Sequence, residues 1–144
     1  MKSLSIEPIR SLRHGVRLDF HVSGRPLLPV FERLDYDLVP RLGSGRVPVD
    51  VETRALLLCD APGDLPSGRV ALYVCPLCGD HGCGTISTLI ERERDAIVWR
   101  DFAGENNVDD ELHLIERFGP FRFALSDYEK ALHTPPNHTK PRQI

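Results

Sequence analysis

The chain predicts an α+β fold: an antiparallel sheet of about five strands with two or three short flanking helices in a single domain. Three observations predict it. Val16 to Val22 alternates apolar and polar residues, the pattern of a strand with one wet face. Apolar runs at 70–74, 85–90 and 96–100 follow one another across links shorter than the dozen-residue crossover that parallel neighbours need. Helix-start patterns recur near 28–34, 50–58 and 126–133.

Composition sets the bounds. A chain of 144 residues, 41% hydrophobic and 27% charged, has room for one domain and one core. That domain is expected over residues 1–133, with the polar, proline-bearing residues 134–144 as a flexible tail. A net charge of -3 gives no electrostatic case for nucleic acid or an anionic membrane. No apolar run approaches the roughly 20 residues of a bilayer span, and the first residues lack the apolar core of a secretory signal. The expected setting is the reducing cytoplasm. There, cysteines close in sequence mean metal ligands or plain thiols more often than disulfides.

Taken in order, Leu4 to Ile9 reads as a first strand ending near Arg10, and His14-Gly15 as a turn. In the second strand Val16, Leu18, Phe20 and Val22 share one face. Arg17, Asp19 and His21 share the other, which places His21 on the surface. Leu28 to Leu34 reads as a short helix with Pro29 in its first turn, where a missing N–H costs little. Residues 35–49 are expected to be loop. Asp50 to Leu58 fits a second helix with Asp50 as N-cap and Glu52 in the first turn, although Ala55 to Leu58 fits a buried strand equally. Residues 60–68 are loop by composition.

Val70 to Val74, Thr85 to Ile90 and Ala96 to Arg100 are the expected central meander, with a charged turn at Glu91–Asp95. Asp101 to Glu111 reads as an acidic loop, Leu112 to Ile115 as a short element, and Phe121 to Phe123 as an edge strand. Ser126-Asp-Tyr-Glu129 has the form of a capping box opening a last helix over about Asp127 to His133. Phe20, Leu72, Val74, Ile86 and Trp99 are the expected core.

The chemistry concentrates between the first two strands of the meander, in Cys75-Pro-Leu-Cys78-Gly-Asp-His81-Gly-Cys83-Gly. Zinc takes four tetrahedral ligands from thiolate and imidazole, and Cys75-x2-Cys78 has knuckle spacing. His81 and Cys83 would complete a Cys3His set, with Cys59 as a substitute ligand if its segment lies beside the hairpin. Three alternatives stay open: a zinc site, unmetallated thiols packed at the neck of a glycine loop, and a redox pair at Cys75 and Cys78. The acidic loop, with Asp101, Glu105, Asp109, Asp110 and Glu111, offers an acidic face to a basic partner protein. It lacks the spacing of a calcium loop. No nucleophile elbow or phosphate loop is present.

These observations lead to a non-enzymatic binding or regulatory protein, for example an immunity-type partner of a toxin. The alternative is a metal-dependent enzyme using zinc on Cys75, Cys78 and Cys83 with an open fourth position. A zinc-stapled module of a larger assembly is a third form.

Residues Gly68 to Gly84, Ile97-Val-Trp-Arg-Asp-Phe102, Gly119-Pro-Phe-Arg-Phe123 and Tyr128 resemble an uncharacterised family of small bacterial proteins. The resemblance covers roughly residues 66 to 131. It implies an order of motifs and carries no activity, cofactor or catalytic residue.

Overall fold

In a computed structural model of the chain, residues 1–43 and 49–134 are described, so nearly all of the tail expected at 134–144 lies outside them. Two antiparallel sheets and three α-helices make up an α+β fold. The smaller sheet is a hairpin of β1 (Leu4–Ser11) and β2 (Gly15–Val22), extended by the two residues of β3 (Arg25–Pro26). Gly15 stands at φ +72°, in the left-handed region, where the chain reverses.

The larger sheet runs in the order β4 (Val39–Pro40), β5 (Val70–Val74), β6 (Thr85–Arg92), β7 (Ala96–Glu105) and β8 (Leu112–Leu114). The expected meander is β5, β6 and β7. β7 is the long strand, and two short ones divide its far edge. β9 (Phe121–Ala124) pairs with Ala96–Trp99, and β8 pairs with Ala103–Glu105. Between β6 and β7 the register jumps from Ser87↔Ala103 to Leu89↔Arg100, with Asp101 at φ +53° as the extra residue of a bulge.

Asp101 to Glu105 therefore belongs to a strand and not to the acidic loop. Phe102 to Glu105 are buried, Ala103 to Glu105 are paired with β8, and the loop is Asn106 to Glu111. Helices α1 (Leu28–Arg33), α2 (Val51–Leu57) and α3 (Leu125–His133) close the core. Asp50 caps α2 as expected, accepting from Thr53 N at 2.7 Å, so Ala55 to Leu57 is helix and not strand. The capping box at Ser126 does not form. Pairing of Ala124 with Ala96 carries β9 to the first residue of α3, which starts at Leu125 with no side-chain cap.

The core lies between the sheets. Phe20 meets Trp99 edge-on at 5.5 Å, Phe31 meets Tyr73 at 4.8 Å, and Trp99 meets Phe123 at 5.1 Å. Each such pair adds about 0.5–1.5 kcal/mol to the roughly 1.5–3 kcal/mol from burying a large side chain. Phe20, Leu72, Ile86 and Trp99 are fully buried as expected. Val74 is only half-buried, because it ends β5 where the cysteine loop departs.

The placement of His21 on the surface is overturned: His21 and Asp19 are both fully buried. β2 changes character along its length, exposed over Gly15–Arg17 and buried on both faces from Asp19 onward. Val16, expected on the apolar face of the strand, is exposed. Asp19 accepts from Leu28 N at the start of α1 and from the Tyr73 hydroxyl on β5. Its carboxylate ties the hairpin to a helix and to the other sheet. Among the described residues no helix is long and apolar enough to cross a membrane.

Candidate metal centre

β5 and β6 are neighbours, so the ten residues between them must turn back, and the turn is built by the cysteine loop itself. Gly79 N donates to Cys75 O at 3.0 Å, closing the Cys75–Cys78 turn, with Gly79 at φ +67°. The Asp80 side chain then accepts from Gly82 N at 2.8 Å, starting a 3-10 turn over His81–Cys83. Gly84, at φ +103°, releases the chain into β6. Left-handed φ at positions 79 and 84 is the reason those residues are glycine.

This path gathers three sulfurs. The Sγ atoms of Cys75, Cys78 and Cys83 all lie within 4.8 Å of one another, and Cys78 and Cys83 are 3.4 Å apart. Tetrahedral ligation at a Zn–S distance of about 2.3 Å separates sulfurs by about 3.8 Å. The cluster is thus close enough to hold one metal ion with small adjustments. Backbone amides are aimed at it as well. Asp80 N lies 3.4 Å from Cys78 Sγ. N–H groups of Leu77 and Cys78 bond the Cys75 sulfur and hold its thiol below the ordinary range. Cys83 goes the other way, pushed up to about 11 by hydrogen bonding to Cys78 and Cys75. Thiols sharing protons in this way are poised to exchange them for a cation, since metals bind the deprotonated form.

The sequence-derived ligand set is only partly brought together. His81 stands apart from the sulfurs, its Nε2 3.6 Å from Asp64 Oδ2. His81 and Cys83, at i and i+2, face different ways, and the imidazole lies beside Asp64, which is bonded by Arg41 and by Ala71 N. Cys59 is farther still: its Sγ bonds Ile90 O at 3.4 Å, toward the far end of β6 from the loop. Burial pushes that thiol up. Cys78 and Cys83 are exposed, so packing of small apolar groups does not account for them.

Sequence reasoning missed Asp64, seventeen residues from His81 and inside a stretch read only as loop. It also missed the cleft of about 350 Å³ beside Cys83, lined among others by Asp35, Tyr36, Gly104, Glu111 and His113. Tyr36 reaches that cleft because Gly104 has no side chain; a Cβ there would meet the ring at 2.9 Å. No family model, curated protein or solved structure matches the chain.

Proposed function

We propose that the chain is a small binding or regulatory protein whose exposed hairpin tip is stapled by zinc on Cys75, Cys78 and Cys83. The proximity of the three sulfurs carries this reading. Water takes the fourth position, because His81 is engaged by Asp64. A toxin-neutralising partner is one form such a protein takes. The aromatic core is closed without the loop, so zinc reinforces the tip and does not create the fold. The test is titration of the reduced, metal-free protein with Zn²⁺ and Co²⁺. One equivalent with thiolate-to-cobalt charge-transfer bands is expected, together with proton release. Absence of those bands sinks the metal centre.

A second reading is favoured by the cleft beside Cys83. Three thiolates, an open position and an adjoining cavity are the parts of a metal-dependent enzyme. Adding azide or imidazole to the cobalt-loaded chain separates the states. Shifted bands mean a replaceable water, which the enzyme requires, and unchanged bands leave only the staple.

A further inference from the structure

Two loops meet at one end of the larger sheet. A Cβ placed on Gly82 of the cysteine loop would lie 3.4 Å from Val108 Cγ2 and 3.4 Å from Asn107 Oδ1, so the acidic loop packs directly on the cysteine turn. Leu77, at the apex of the Cys75–Cys78 turn, is 93% exposed, and Val108 is 76% exposed. Neither contributes to the core. Asp80 of the cysteine loop and Asp109, Asp110 and Glu111 of the acidic loop are all exposed. No lysine or arginine occurs between residues 70 and 91 or between 101 and 116. Arg41 comes near through Asp64, which holds it in an ion pair. A divalent ion on three thiolates leaves one net negative charge, so loading the site keeps the tip acidic.

We propose that this tip docks a basic protein segment carrying an apolar side chain. Leu77 and Val108 make the water-excluding centre, and the four carboxylates meet lysine or arginine around it. Apolar centre and charged rim are the usual anatomy of a specific interface. The rim speeds encounter and makes binding weaken with salt. The inference rests on the binding-protein reading and holds whether or not zinc is bound.

The probe is a fluorescein-labelled ten-residue peptide alternating arginine and leucine, with a glutamate–leucine peptide as counterpart. Anisotropy is read with the full chain, zinc-loaded and metal-free, at 50 and 500 mM NaCl (roughly 14 and 4 Å of Debye length). The arginine–leucine peptide is expected to bind and to weaken at least tenfold in high salt. A tenfold loss is also expected in Leu77→Ser/Val108→Ser and in Asp109→Asn/Asp110→Asn. Asparagine keeps the acceptor that Asp109 offers Glu111 N. Glu7→Gln/Asp127→Asn, in the groove between β1 and α3, should bind as the parent does. No binding, equal binding by the tip variants, or binding of both peptides overturns the proposal. So does a dimer in sedimentation that the Leu77→Ser/Val108→Ser change dissolves, since the occupant would then be a second copy. Lost peptide binding with zinc uptake intact removes the docking surface alone. Retained peptide binding without zinc uptake supports it and removes the metal centre.

Discussion

Tyr73 donates its hydroxyl hydrogen to Asp19 across 2.7 Å, and both side chains are fully buried. Burial raises the Asp19 carboxyl from 3.8 to about 7, against the bonds from Tyr73, Leu28 and Phe20 that lower it. A raised carboxyl binds its proton more tightly in the folded state. Its stabilising contribution is full below about pH 4 and is lost as pH climbs to about 7. Urea denaturation across that window should lose on the order of 4 kcal/mol from this group. In Asp19→Asn that slope should vanish, leaving a gap to the parent that is widest at pH 4 and narrowest at pH 8. Parallel curves for the two proteins would remove the argument.

At the cysteine loop, Cys75→Ser should weaken zinc binding beyond the 10–100-fold that changes behind the ligands typically cost. His81→Ala should leave the affinity within a few-fold and the cobalt spectrum unshifted. A large loss on removing His81 would make it the fourth ligand and force it off Asp64. Chelation should raise hydrogen exchange in residues 75–84 while the far-ultraviolet circular dichroism of the sheets is retained.

Gly63 and Gly104 make a matched pair. A Cβ at Gly63 would collide with backbone, 2.5 Å from Gly68 C and 2.7 Å from Arg69 O, which cannot swing aside. Gly63→Ala should cost about 2–4 kcal/mol and disturb the loop that carries Asp64. At Gly104 the obstacle is the Tyr36 side chain, so Gly104→Ala should cost about 1–2 kcal/mol, and less in a Tyr36→Ala background. Chemical denaturation of the four variants decides it.

Trp99 Nε1 donates to the Tyr128 hydroxyl at 3.0 Å, and that hydroxyl donates to Leu57 O at 2.8 Å. One oxygen thus joins β7, α3 and α2. Tyr128→Phe leaves a buried donor and a buried acceptor without partners at about 1–3 kcal/mol each. A loss of about 3 kcal/mol is expected, whereas a loss below 1 kcal/mol would mean that water takes the place of the hydroxyl.

The sequence revealed what is local. The cysteine loop was legible because its sulfurs are chain neighbours between two strands that had to pair. Asp50 was legible because a cap acts within three residues. The surroundings of Asp19 and His21 were not, since alternation reports a strand's faces and not what packs on them. Here Tyr73 and the start of α1 cover the polar face. Ser126 offered a cap that strand pairing overruled at Ala124. Asp64 could not be joined to His81, because only the folded loop brings them together.

The division of β7's far edge between β8 and β9 bears on behaviour in concentrated solution. A ten-residue strand left bare would offer a template on which foreign chains could grow into fibrils. Here the strands bordering the larger sheet number two, three and four residues. None is long enough to seed such growth, so the larger sheet offers no template where a plain four-stranded meander would.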